Sequence, residues 1–354
     1  MIEQVAHKLI QKAIRYQVSD IHIMPATNHY QIYFRIHGQL MPEKSIDLIF
    51  GKKIISYFKY LANMDVGEKR KPQSGACDFP LGEEMAPIEL RLSTISDVNI
   101  LESLVIRIIF SHFHQASQIQ SYFPQVLELL HQFVRCKSGL ILISGPVGSG
   151  KTTTIYQLLS ERMDQEALQV ITMEDPVEIK ENRFLQTQVN YKAGITYDVL
   201  IKSALRHHPD VLFIGEIRDE ETARMTIRGA LTGHLMIATI HATNCLGVIG
   251  RLEELEVTPQ QIEQTLIGVI SQRLIPRNCP FCQSDNLISC FHLKDHQKRA
   301  ALFEILYGSD LKSLLSKSTS LNFSSNFTPL NHSLRKAWAY GYISKKQFHH
   351  FEII

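Results

Sequence analysis

From the start of the chain, apolar residues recur at helical spacing. Ile2, Val5, Ala6, Leu9, Ile10, Ala13 and Ile14 share one face, which predicts an amphipathic helix. The period then changes. Residues 21–24, 30–36, 88–92 and 104–109 are short alternating apolar runs, parted by turn residues such as Pro25, Asn28, Gly38, Pro72, Gly75 and Gly82. They read as strands, with one helix over 52–63 among them. This mixture predicts a small α+β domain over residues 1–110. Residues 111–123 are polar, lack a period and run into Pro124, as an interdomain linker would.

Beyond Pro124 the pattern is different. A helix over 125–133 leads to an apolar strand over 140–144, a Gly-rich turn and a helix over 152–163. Further apolar strands are predicted at 167–173, 211–214 and 236–240, with helices between them. Fully apolar strands alternating with helices predict an α/β domain over 124–354, its parallel sheet covered on both faces. After about residue 276 the pattern reads as helical and polar to the end.

Composition narrows the class. The 354 residues are enough for two domains, and 44% apolar content excludes a disordered chain. With 37 Lys and Arg against 35 Asp and Glu, the net charge of +2 gives no polybasic footprint. Direct, charge-driven nucleic-acid binding is not expected. Six cysteines in a chain this long are not a disulfide framework and suit a reducing cytoplasm. The N-terminus lacks a signal-peptide core, and no apolar run approaches the roughly 20 residues that span a bilayer. Membrane association is expected only through a partner.

The Gly-rich turn carries the clearest chemistry. Gly145, Pro146, Val147, Gly148, Ser149, Gly150, Lys151 and Thr152 fit G-x-x-x-x-G-K-[ST], with a strand before and a helix, opening on Thr152 and Thr153, after. Glycines let backbone N–H groups turn inward around phosphate oxygens, and the helix N-terminus adds partial positive charge. Lys151 can reach the β- and γ-phosphates, and the Thr152 hydroxyl can take one Mg²⁺ position. The segment Met173-Glu174-Asp175-Pro176-Val177-Glu178 ends a strand where open α/β sheets bind ligands. Glu174 can orient Mg²⁺ or water there, although Asp-Pro also marks ordinary surface turns. Further on, Gly215 stands where a generic Walker B motif has its Asp, and Glu216 follows. That makes Glu216 the candidate to polarise the attacking water. Asp219 reads equally as the cap of the next helix. His241 ends another apolar strand and is the candidate γ-phosphate sensor.

These motifs, GPVGSGKTTT, MEDPVE, LRHHPDVLFIGEIRDEETA and TGHLMIATIHATN, resemble in order and spacing those of the secretion ATPases of the type II secretion and type IV pilus superfamily. Upstream, SDIHIMP, YQIYFRIHGQL and GEKRKPQSGACDF are similar to the signature of that family's first domain. RLSTI and LVIRII resemble the segments bearing two arginines that approach the triphosphate, here Arg91 and Arg107. The resemblance covers about residues 1–275. It implies a RecA-like ATPase domain behind a PAS-like one, ATP and Mg²⁺ as ligands, and a homo-oligomer, most simply a hexameric ring. It also implies a cytoplasmic motor at the inner face of the cell membrane. There it would act on a polytopic platform protein and swing its first domain about the linker on hydrolysis.

Two later features refine this. Cys279-Pro-Phe-Cys282 and KRAALFEIL resemble the assembly-type C-terminal region, and residues 335–344 resemble the ending of competence-pseudopilus members from Gram-positive bacteria. The implied function is therefore ATP-driven assembly of a pseudopilus for DNA uptake, with pilus retraction, general type II secretion and a P-loop DNA translocase as alternatives. Cys279 and Cys282 supply one metal-ligand pair; Cys290 with His292 or His296 would complete a zinc site, and a metal-free remnant is the other reading.

Overall fold

The computed structural model describes residues 2–36, 38–82, 87–110, 119–282, 290, 292–293, 297–316 and 327–353. Two compact units divide it, Met1–Phe113 and His114–Ile354. In the first, helix α1 (Ile2–Arg15) precedes strands β1 (Asp20–Pro25), β2 (His29–Ile36) and β3 (Gln39–Asp47). Helix α2 (Leu48–Leu61) and strands β4 (Gln73–Phe79), β5 (Ile88–Ser96) and β6 (Glu102–Ile109) follow. The strands form one antiparallel sheet in the order β3-β2-β1-β6-β5-β4. One face is apolar: Ile21, Ile23, Ile32, Phe34, Leu90, Leu92, Leu104 and Ile106 are all buried.

The sequence pattern predicts four of these six strands. The other two, β3 and β4, are the edges of the sheet. Their burial alternates only between exposed and half-buried along most of their length, so they lack the apolar stripe that betrays a half-buried strand.

The second unit opens with α3 (Gln125–Val134), β7 (Gly139–Ser144), α4 (Lys151–Met163), β8 (Val170–Glu174) and β9 (Leu185–Gln188). Next come α5 (Tyr197–Ala204), β10 (Val211–Ile217), α6 (Glu220–Leu231), β11 (Leu235–Ile240), α7 (Cys245–Glu254) and α8 (Pro259–Thr265). It closes with β12 (Leu266–Pro276), β13 (Arg299–Tyr307), α9 (Gly308–Leu315), α10 (Leu330–Ala339) and α11 (Lys345–Phe351). The sheet runs β13-β12-β7-β11-β10-β8-β9. Every neighbouring pair is parallel except β12 with β13. This is the expected α/β class with one antiparallel edge.

Strand β13 corrects the expectation of a helical, polar chain after residue 276. Its sequence, RAALFEILY, is a continuous apolar run buried on both faces, and such a run has no period to distinguish strand from helix. Its one acid, Glu304, is 4% exposed. One carboxylate oxygen accepts from the Cys245 N–H at 2.7 Å and the other from the Leu330 N–H at 2.7 Å. A single side chain thereby satisfies the N-terminal turns of α7 and α10.

The end of the predicted linker also belongs to this sheet. The Ala301 N–H donates to Gln120 O at 2.7 Å, and the Tyr122 N–H donates back to Ala301 O at 3.2 Å. Tyr122 itself is buried with Ile275, Leu302, Leu330 and Leu334, and its hydroxyl donates to Pro276 O at 3.0 Å. Residues 111–118 of the linker lie outside the described residues.

Candidate nucleotide-binding site

Strand β7 is buried almost throughout and delivers the chain into Gly145 at φ 147°. A Cβ there would lie 2.4 Å from the Gln272 carbonyl oxygen, so only glycine permits β12 to pass this close. Gly150, at φ 82°, turns the loop into α4. Lys151 begins that helix and folds over the loop, donating to Gly145 O at 2.9 Å and Pro146 O at 3.2 Å. Burial pulls its pKa below the ordinary lysine value, against the opposing charges of Glu216 and Glu178. Pro146, Val147 and Gly148 are exposed, whereas the half-buried Thr152 and exposed Thr153 lie in the first turn of α4. The Ser149 hydroxyl is buried and has no hydrogen-bond partner among the described residues. An unpaired buried donor inside a glycine-lined loop fits an anionic ligand.

Strand β12 braces this loop. Gln272 Nε2 donates to Ser149 O at 2.7 Å. Arg273 donates to its neighbour Gln272 O at 3.1 Å and to Thr243 O at 2.5 Å. These two side chains carry no motif signal, because Ser149 and Thr243, which they reach, lie far away in sequence.

The carboxyl ends of β8, β10 and β11 form one connected network. His241 Nε2 lies 3.0 Å from Glu216 Oε1. Glu216 Oε2 accepts from Arg218 Nε at 2.6 Å, and Arg218 Nη1 reaches Asp175 Oδ2 at 3.1 Å. The β10–β11 register shifts between Ile214 and Ile217, so Gly215 and Glu216 leave the ladder at a bulge. Bulges of this kind re-aim side chains beside active sites. The structure therefore brings Glu216 and His241 together, and adds Arg218 and Asp175 from within the same motifs. Asp219 caps α6 by accepting from the Thr222 N–H at 2.8 Å, the role its position also suggested.

Glu174 ends β8 but is only 3% exposed. The Tyr156 hydroxyl and Thr172 Oγ1, at 2.7 Å, both donate to its Oε1, and Gln186 donates to the same tyrosine at 2.8 Å. Burial raises the Glu174 pKa, and the hydrogen bonds from Tyr156 and Thr172 hold it back. Arg91 and Arg107 lie opposite each other on β5 and β6 of the first unit. Arg91 Nε is 3.0 Å from Glu89, and Arg107 Nε is 2.9 Å from the buried Asp20, which also has Arg35 at 3.9 Å.

The cysteine cluster assembles as well. The ligand atoms of Cys279, Cys282, Cys290 and His292 all lie within 4.8 Å of one another. His292 Nδ1 is 3.2 Å from the Cys282 sulfur. Three thiols and an imidazole this close fit a tetrahedral zinc donor set. His296 lies outside the described residues.

Parallel sheet, phosphate loop and acidic edge define a P-loop ATPase. The family model described as type II/IV secretion system protein matches residues 1–338, and the chain belongs to that family. Competence protein ComGA of Bacillus subtilis (strain 168) is 37% identical over 347 residues, covering 98% of this chain and 97% of the relative. Competence protein ComGA of Halalkalibacterium halodurans is 39% identical over 349 residues, with the same coverages. The solved structure of the ATPase DotB from Legionella pneumophila covers 98% of this chain and 94% of its own, at a TM-score of 0.73 and 17% identity. That last likeness is one of fold.

Proposed function

We propose that this chain hydrolyses ATP to drive assembly of a competence pseudopilus for DNA uptake. The observation that carries the reading is the match to two ComGA proteins over nearly the full length of both partners. The motor acts as a ring, most simply of six copies, against a polytopic membrane platform. No helix among the described residues is long and apolar enough to cross a membrane, so force reaches the envelope through that partner. DNA is captured by the pilus and need not touch the ATPase.

The chemistry follows from the site. The loop from Gly145 to Thr152 holds the phosphates through backbone N–H groups and Lys151. Glu216 polarises the attacking water, held between His241 and Arg218. His241 senses the γ-phosphate through its contact with Glu216. Magnesium would be held by the Thr152 hydroxyl and the Glu174 carboxylate, and would supply charge neutralisation at the phosphates. Arg91 and Arg107 stabilise transition-state charge, as the family resemblance implies. Division of the chain into an N-terminal α+β domain, a linker and the ATPase domain remains part of the same proposal.

The test is Lys151→Ala in the native host and as purified protein. ATP turnover should vanish, and with it surface pili and transformation. Surplus pili would identify a retraction motor instead, and undiminished turnover would sink the site assignment. Zinc on Cys279, Cys282, Cys290 and His292 is proposed separately. Metal analysis should give about one zinc per chain, and Cys282→Ser should lose most of it. Equal metal content in the two proteins would refute the assignment.

A further inference from the structure

The last two helices carry a surface that the catalytic cycle does not use. Between Leu330 and Ile353, four Lys and Arg face a single Glu, a net +3 against +2 for the whole chain. That one acid is already taken: Glu352 lies 3.7 Å from Arg335. Three large aromatic residues stand among these cations, Trp338 at 41%, Tyr340 at 59% and Tyr342 at 45% exposure. Arg335, Lys336, Lys345 and Lys346 are exposed with them. An aromatic cluster this open on a folded domain marks a contact surface.

The rings are fixed in place. Trp338 stacks on Phe348 with centroids 5.0 Å apart, and Tyr342 stacks on Tyr122 at 6.1 Å. Lys336 lies over the Phe123 ring at 4.9 Å and the Tyr340 ring at 5.9 Å. Beneath them Leu330, Leu334, Ala337, Ile343 and Phe348 anchor both helices in the core of the unit. Gly341, at φ 73°, makes the turn that presents Tyr340 and Tyr342 outward. Ordering these side chains on contact therefore costs little further entropy.

We infer that this α10–α11 corner docks directly on an anionic lipid surface. Trp and Tyr, apolar in body and polar at the tip, settle at headgroup depth. Lys and Arg beside them are drawn to negatively charged headgroups. A presented corner suits a broad flat surface, whereas a peptide ligand would want a cleft. Trp338 and Tyr342 each have one face already stacked, which leaves fewer ring faces for the bases of a single strand. The contact is the chain's own and adds to attachment through a platform protein.

Trp338 is the sole tryptophan of the sequence, so its emission reports this surface alone. Full-length protein is titrated with vesicles of pure phosphatidylcholine and with equimolar phosphatidylcholine and phosphatidylglycerol. The expected result is a blue shift and co-sedimentation with the anionic vesicles only, reversed by salt. Lys345→Gln with Lys346→Gln should weaken that binding roughly thirtyfold, at about fivefold per lost charge, with ATP turnover unchanged. Trp338→Phe, which keeps the stack on Phe348, should still sediment and so separates lost binding from lost folding. A shift on raising protein concentration without vesicles would show a second copy of the chain covering the corner. A response to oligo-dT or polyglutamate but not to vesicles would likewise overturn the inference, as would equal binding to both vesicle types.

Discussion

Glu174 is a carboxylate whose ordinary preference for charge is opposed by burial. Its pKa is raised above the usual value of 4.5, first by desolvation. The folded chain thus binds this proton more tightly than the unfolded chain does. The stability it contributes is complete below the unfolded value and is lost as pH rises through the folded one. Glu174→Gln, which needs no ionisation and can still accept from Tyr156, should melt with the parent near pH 4.5 and above it at pH 8. Thermal melts across that range check this; a difference independent of pH would contradict it. At this scale, the sequence discloses residues whose spacing is itself the chemistry. Lys151 follows its glycines, and Glu216 stands at the carboxyl end of its strand. It conceals Gln272 and Tyr156, whose partners Ser149 and Glu174 are joined to them only by folding.

At the scale of elements, legibility tracked burial. Strands with one dry face, such as β2 with its strict alternation, are visible as period two. The exposed edges β3 and β4 are not, and β13 is hidden for the opposite reason, being dry on both faces. Glu304 on β13 shows what an unforeseen element can add, because it joins the starts of two helices that are distant in sequence. Glu304→Ala would leave both N–H groups without their acceptor. At about 1–2 kcal/mol per lost cap, unfolding in urea should show a loss of about 2–4 kcal/mol. A loss under about 1 kcal/mol would mean that water replaces the carboxylate at both ends.

Across the whole molecule, the change from an antiparallel to a parallel sheet is legible as a change of hydrophobic period near Pro124, because each kind of sheet imposes its own burial. The chemical assignments divide along the same line. Arg91 and Arg107 sit on the first unit's sheet, and the phosphate loop and Glu216 sit on the second's. What the period misses is where the second unit begins, since Gln120, Ser121 and Tyr122 have no pattern of their own. They lie along the outer side of β13, exchanging hydrogen bonds with Ala301. The short segment therefore works as a guard on a sheet edge that would otherwise offer a ladder to any passing strand. A fragment cut at Pro124 should self-associate through that opened edge, while one that keeps Ile119 should remain monodisperse in light scattering.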